Sequence, residues 1–108
     1  MAVSAGSDQT IHLWRTSNGR LQDSWKAHRD TIRAVCFSSD DRFILSASSD
    51  RTARLWRIAN RRCVHTFEGH SAPVNAVGIS GDGRYAVTGG ADRILKVWFL
   101  DWELGEDG

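Results

Sequence analysis

The stretch SASSDRTARLW, residues 46–56, has two relatives in the same chain. SAGSDQTIHLW covers residues 4–14 and TGGADRILKVW covers residues 88–98, so neighbouring stretches lie 42 residues apart without a gap. Each stretch keeps a serine or threonine, an aspartate and a tryptophan in the same order. Chance does not preserve three residue types in register three times. A period of about 40–45 residues is typical of a repeat built from four β-strands.

The repeated polar positions form three sets, one in each stretch. They are Ser4, Asp8 and Trp14, then Ser46, Asp50 and Trp56, then Thr88, Asp92 and Trp98. His28 and His70 keep the same interval of 42 residues and precede the second and third sets. The second and third repeats therefore each contain a histidine, a hydroxyl, an aspartate and a tryptophan.

One period contains four short strands separated by turns. After His28, strand-forming segments occupy residues 31–37, 42–48, 52–58 and 62–67, with Ser, Asp, Asn and Arg between them. The other two repeats follow the same scheme and contain no helical stretch. The sequence therefore predicts an all-β chain.

The strands are apolar on both faces. Ala53 and Leu55 point to one side of their strand and Trp56 to the other, which favours a sheet covered on each side by another sheet. A single sheet cannot bury both of its faces, so the sheets must stack around an axis.

With this joint pattern of Asp, Trp and Gly-His, the chain resembles the WD-repeat family of β-propellers over residues 1 to about 100. Two features depart from the family pattern. Arg15, Arg57 and Phe99 follow the tryptophans where the family's name-giving aspartate stands, and the first Gly-His pair reads Ala27-His28.

The predicted fold is a β-propeller segment with one complete four-stranded antiparallel blade flanked by two incomplete blades. We expect a partial blade at residues 1–27, a complete blade at 28–69, a partial blade at 70–100 and an acidic tail at 101–108. Closed propellers contain about 4–8 blades. We expect a longer parent polypeptide to supply the missing blades, with homo-oligomerisation as the alternative.

The tail has two interpretations. It is a solvated acidic end, or Phe99, Leu100, Trp102 and Leu104 pack under the last blade. The segment is similar to the closing stretch of WD-repeat regions in large bacterial signalling proteins. That resemblance implies the C-terminal blades of a larger protein.

The recurring His, Ser or Thr, and Asp residues have the composition of a base, nucleophile and orienting group. We do not favour a hydrolase, because an active site occurs once per fold and this set recurs with every blade. The family resemblance implies structural tetrads instead, in which the indole bonds the hydroxyl, the hydroxyl the histidine, and the histidine the aspartate. The predicted tetrads are Trp56, Ser46, His28, Asp50 and Trp98, Thr88, His70, Asp92, with a partial tetrad of Ser4, Asp8 and Trp14.

Arginine is the one compositional bias with a possible function, since eight arginines lie between His28 and Glu68. They are either scattered over turns and rims or partly gathered into a docking face for an acidic peptide or phosphate. By resemblance, the partner-binding face of the propeller contains the candidate residues Thr31, Arg33, Ser49 and Asn75, together with Ser7.

Cys36 and Cys63 lie in the first and last strands of the middle repeat. Three strand spacings place their Cα atoms about 14 Å apart, which is too far for a disulfide. We therefore expect free thiols and a reducing, cytoplasmic compartment.

Several function classes lack support in the sequence. The net charge is only +1, so a bulk attraction to nucleic acid or an acidic membrane is not expected. The apolar runs are far shorter than the ~20 residues of a membrane helix. His12 and His65 are isolated strand histidines, and the glycine turn at residues 80–83 lacks the lysine and helix of a phosphate loop. We expect no metal and no cofactor.

The sequence thus predicts a non-catalytic scaffold that binds a protein or peptide partner, within a larger multidomain protein. Three alternatives remain: nucleic-acid or phosphate binding through the arginine-rich middle blade, a Ser/His/Asp hydrolase, and a ligand-sensing module for an attached kinase or nucleotide-dependent switch.

Overall fold

The computed structural model describes residues 1–100, and in that range the chain forms ten β-strands and no helix. The strands are β1 (Ala2–Ala5), β2 (Thr10–Trp14), β3 (Leu21–Lys26), β4 (Ile32–Phe37), β5 (Phe43–Ser48), β6 (Ala53–Arg57), β7 (Arg62–Phe67), β8 (Val74–Ile79), β9 (Tyr85–Gly90) and β10 (Leu95–Phe99). No helix within residues 1–100 has the length and apolar character needed to cross a membrane.

The strands form three antiparallel sheets. The first sheet has the order β1-β2-β3, the second β4-β5-β6-β7 and the third β8-β9-β10. Each sheet is a meander in which strands adjacent in sequence are also hydrogen-bonded neighbours. The predicted fold class is confirmed, because one four-stranded sheet lies between two three-stranded sheets.

The aspartate of each repeat shapes the turn that follows the strand with the repeated serine or threonine. Gln9, Arg51 and Arg93 occupy the same place in the three repeats and have positive φ angles of 66°, 75° and 65°. The preceding aspartate stabilises each turn by accepting a hydrogen bond from the backbone two residues further on, as from Thr52 N to Asp50 Oδ1 at 2.9 Å. The repeated aspartate therefore has a local structural use in each sheet.

The second sheet is covered on both faces. Ile44 on β5 and Trp56 on β6 pack against Leu13 and its neighbours in the first sheet. Phe43 and Leu55 point the other way and pack against the third sheet. All residues of β5 are buried, as expected for a strand apolar on both faces.

The two cysteines lie at opposite edges of the second sheet. Cys36 is on β4, Cys63 is on β7, and both are free thiols.

Leu100 follows β10 and is fully buried in the core between the second and third sheets. Its backbone nitrogen donates to Arg84 O at 2.6 Å, whereas Phe99 is 55% exposed. Trp102 and Leu104, for which packing under the last blade was one interpretation, lie outside the described residues.

Replacing Leu55 by Ala tests the two-sided burial of the second sheet. Leu55 is fully buried, so truncation should lower the free energy of unfolding by about 2–5 kcal/mol. Urea denaturation followed by tryptophan fluorescence measures this change. Arg62→Ala, on an exposed position of β7, is the control and should stay within about 0.5 kcal/mol. Equal effects of the two substitutions would contradict the packing described for the second sheet.

Candidate functional site

A buried chain of four side chains crosses the second sheet. His28 Nε2 lies 2.7 Å from Ser46 Oγ, and His28 Nδ1 lies 2.8 Å from Asp50 Oδ2. The Trp56 indole donates to Ser46 Oγ at 3.0 Å. The structure thus brings together all four residues of this predicted tetrad.

Elementary donor and acceptor chemistry sets the direction of these hydrogen bonds. A carboxylate only accepts, so Nδ1 of His28 carries the hydrogen that it donates to Asp50. Nε2 is then the acceptor for the Ser46 hydroxyl, whose oxygen accepts from Trp56. Thr52 Oγ1 also donates to Asp50 Oδ1 at 2.6 Å. Every polar group along this buried path has a partner.

The environment lowers the pKa of both ionisable members of the tetrad. Burial lowers the pKa of His28 below 6.5, and the hydrogen bond and charge of Asp50 only partly oppose this effect. For Asp50, burial acts to raise the pKa, but the hydrogen bonds from Thr52 and His28 outweigh burial and bring it below 3.8. At neutral pH the pair is therefore a neutral imidazole and a carboxylate.

The third sheet repeats this arrangement with threonine in place of serine. His70 Nε2 lies 2.8 Å from Thr88 Oγ1, and Trp98 Nε1 donates to the same oxygen at 2.9 Å. The contact between His70 Nδ1 and Asp92 Oδ2 is longer, at 3.4 Å. A Cβ at Gly90 would lie 2.5 Å from Asp92 Oδ1, so this close approach favours glycine.

The first sheet contains only part of the set. Trp14 Nε1 donates to Ser4 Oγ at 2.9 Å, and Asp8 contacts His12 Nε2 at 2.8 Å. Sequence reasoning treated His12 as an isolated strand residue. The spacing of four residues between Asp8 and His12 was the available signal for this pair.

The geometry between Ser46, His28 and Asp50 matches that of a nucleophile, base and orienting group, yet its surroundings do not suit catalysis. Ser46 is fully buried, and its oxygen already accepts the Trp56 indole hydrogen. A nucleophilic oxygen needs space about 3 Å away for the reacting carbon. Because Ser46 is fully buried, the packed side chains around it leave no such space.

Three of the candidate partner-binding residues meet at the end of the second sheet where β4 begins. Arg33 Nε donates to Ser49 Oγ at 2.6 Å, and Ser49 N donates to Thr31 O at 2.9 Å. Asn75 is exposed at the place on β8 that matches Arg33 on the neighbouring strand β4. Ser7 is exposed in the corresponding turn of the first sheet. We call this end of the sheets the upper rim, defined by residues 6–9, 28–33, 49–52, 70–75 and 91–93.

Five of the eight middle-blade arginines fall into two groups in the structure. Away from the upper rim, Arg42 Nε bonds Asp40 at 2.9 Å and Arg61 Nε bonds Asp23 at 2.8 Å. At the upper rim, Arg29, Arg33 and Arg51 are exposed, and none of them forms an ion pair with a carboxylate of residues 1–100. The sequence had left open which arginines are available for a partner.

Other kinds of site have less support. An open groove of about 430 Å³ lies away from the upper rim, between Asp41 and Ala59, and none of the predicted site residues lines it. Within residues 1–100, no three His, Cys, Asp or Glu side chains are grouped so that they could hold a metal ion.

Comparison with known families agrees with the repeated geometry. The family model described as WD domain, G-beta repeat (WD40) matches residues 19–57 and 61–98, which together exceed half of the chain. This chain belongs to the WD40-repeat family. Each matched WD40 segment begins near the last strand of one sheet and ends with the third strand of the next, so the sequence repeat and the sheet are out of phase by one strand.

Ser46→Ala tests the structural use of the tetrad. The change leaves the Trp56 indole and the His28 imidazole buried without their shared partner, which should cost about 1–3 kcal/mol for each orphaned group. Chemical denaturation measures the loss. Ser4→Ala, at the matching exposed position of the first sheet, should cost clearly less. Similar losses for both variants would contradict the proposed importance of the buried chain.

The lowered pKa of His28 predicts a loss of stability in mild acid. Below pH 6.5 the unfolded chain binds a proton at this histidine before the folded chain does, so the free energy of unfolding falls as the pH falls. Thermal melts at pH 7.5 and 5.5 should differ more for the wild type than for His28→Gln. A further loss below pH 3.8 is expected from protonation of Asp50. If the difference between the two melting temperatures is as large in His28→Gln as in the wild type, His28 is not the source of the acid sensitivity.

Proposed function

We propose that this WD40 chain is a non-catalytic platform for protein–protein interaction. WD40 repeats generally mediate such interactions and are typically non-enzymatic scaffolds. The observation that carries the proposal is the upper rim of the second sheet, where three exposed guanidinium groups without carboxylate partners among residues 1–100 stand on a rigid base. The partner is a protein or peptide, and the rim's chemistry favours one with acidic side chains.

The tetrad supports this proposal because its histidine, hydroxyl and aspartate, which could otherwise suggest a catalytic triad, have a structural role. The same set recurs in the second and third sheets, and both copies place the hydroxyl under a tryptophan indole. Such repetition is what a scaffold requires of every blade. A single catalytic centre would need one blade to differ from the others.

Rigidity links the tetrad to the rim. Asp50 Oδ2 accepts a hydrogen bond from Arg29 N at 3.3 Å, and Asp50 also shapes the turn that carries Arg51. Because His28 holds Asp50 in place, the tetrad fixes both the segment of Arg29 and the turn of Arg51. A preordered rim loses less conformational entropy when a partner binds.

Arg33 is the best-positioned contact residue on the rim. Its hydrogen bond to Ser49 Oγ engages Nε and leaves the two terminal nitrogens of the guanidinium for a partner. Two parallel hydrogen bonds from an arginine suit a carboxylate or a phosphate. Asn75 at the matching position of the third sheet extends the polar surface without adding charge.

Three expectations about the wider setting of the chain remain predictions. They are the division into blades at residues 1–27, 28–69 and 70–100, membership of a larger multidomain protein, and a cytoplasmic location. The rim proposal does not depend on any of them.

Arg33→Glu tests the rim as a binding surface. A fluorescent, glutamate-rich peptide serves as the probe, and anisotropy measures its affinity. Arg33→Glu should weaken binding by at least about tenfold, because a bidentate, charge-assisted contact becomes a repulsion. Arg62→Glu changes the net charge by the same amount at an exposed site on β7 and should alter affinity less than twofold.

Two results would count against the rim. Equal losses for Arg33→Glu and Arg62→Glu would show that only the overall charge matters. Tighter binding to a duplex DNA probe than to the peptide, with a steep salt dependence, would support the nucleic-acid alternative.

A further inference from the structure

The outer face of the third sheet exposes a continuous set of large apolar side chains. Leu95, Val97 and Phe99 on β10 are 75%, 67% and 55% exposed. Val97 pairs with Val87 on β9, and Phe99 pairs with Tyr85, so all five side chains lie on one face. No charged residue occupies these positions. Exposed apolar surface of this kind marks an interaction site.

The repeat identifies what this type of face contacts. We call it the leucine face, since it carries Leu13, Leu55 and Val97 in the three sheets, and we call the opposite side the tryptophan face, with Trp14, Trp56 and Trp98. The leucine face of the first sheet packs on the tryptophan face of the second. The leucine face of the second sheet packs on the tryptophan face of the third.

The ring contacts across these two interfaces are also equivalent. Trp25 meets Trp56 with ring centroids 6.0 Å apart, and Phe67 meets Trp98 at 5.0 Å, each pair being 42 residues from the other. The chain therefore contains two examples of one contact, always between unlike faces. A contact between two leucine faces has no example among residues 1–100.

Both halves of a third such contact are exposed at opposite ends of the stack. The leucine face of the third sheet is one half, and the tryptophan face of the first sheet is the other. Ala2 marks the second half clearly. Its repeat equivalents Ile44 and Ala86 are fully buried in the two interfaces, whereas Ala2 is exposed. No element within residues 1–100 covers either face.

We propose that a second copy of this chain seats the tryptophan face of its first sheet on the leucine face of the third sheet. The contact is head to tail, because it joins unlike faces. It resembles the two contacts already present within one chain, except that the third sheet has no fourth strand within residues 1–100 to supply an aromatic ring like Trp25 or Phe67. A head-to-tail contact leaves one face of each type open at the ends of a dimer. Further copies can therefore add until a ring closes.

Charge does not oppose this association. The exposed positions of the leucine face are uncharged, and His12 on the first sheet is already engaged by Asp8 at 2.8 Å. In the second sheet, Arg54 lies at the position of His12 within an interface of the same type, where its Nη1 donates to Ala27 O at 3.0 Å and its buried Nε has no partner among residues 1–100.

Native mass spectrometry and light scattering on the 108-residue chain test the proposal. The wild type should form assemblies whose masses are multiples of 12.0 kDa. Val97→Glu damages only the leucine face and Ala2→Glu only the tryptophan face. Each variant alone should bind its own kind at least tenfold more weakly, because burying an unpaired carboxylate is costly. Ser17→Glu, in the exposed turn between β2 and β3, is the charge-matched control and should assemble like the wild type.

Mixing the variants distinguishes head-to-tail contact from other modes. Ala2→Glu keeps an intact leucine face and Val97→Glu an intact tryptophan face, so an equimolar mixture should form a heterodimer and grow no further. The double variant should not pair with itself. Circular dichroism checks that each variant is folded, and Leu95→Glu replaces Val97→Glu if the latter is not.

Two outcomes would overturn the proposal. A wild type that stays monomeric over the concentrations tested would show that a second copy does not occupy the exposed faces. Assembly of the wild type without heterodimers in the mixture assigns the contact to two like faces.

Discussion

The hydrogen bond from the Trp56 indole to the Ser46 hydroxyl is the constraint on which much of the structure depends. It joins the two central strands of the second sheet inside an apolar core, where an unpaired hydroxyl or imidazole would be costly. The hydroxyl oxygen accepts the indole hydrogen and donates its own hydrogen to His28, and Asp50 fixes the imidazole tautomer that makes His28 Nε2 an acceptor. Core, turn and rim are therefore coupled through one polar path.

Much of the fold could be predicted because a 42-residue period constrains it strongly. Trp56 and Leu55 are adjacent in sequence and need opposite apolar surroundings, so the sheet had to be covered twice. The four members of the tetrad could also be named in advance, since each recurs at a constant interval. Their distances could not, because hydrogen-bond lengths depend on backbone positions that a spacing does not specify.

Features outside the period were harder to predict. Arg61 forms an ion pair with Asp23 in the neighbouring sheet. The residue 42 positions after Asp23 is His65, so the repeat does not contain a second acidic residue that would have indicated this contact. The contacts of the other middle-blade arginines could not be predicted from the 42-residue period either. Only the packing of sheets shows that Arg61 is engaged and that Arg33 remains exposed at the rim. Contacts peculiar to one blade carry the function proposed for this chain, while contacts common to all blades carry its stability.

The one-strand offset between the family's sequence repeat and the sheets has a consequence for how such chains change in length. Residues 19–57 supply the last strand of one sheet and the first three strands of the next. If a gene duplicates such a unit, the new copy completes the sheet before it and begins the sheet after it. Every junction between sheets then keeps a covalent link and the same pair of unlike faces. Duplication and loss of whole units can thus alter the number of blades without creating a new kind of interface.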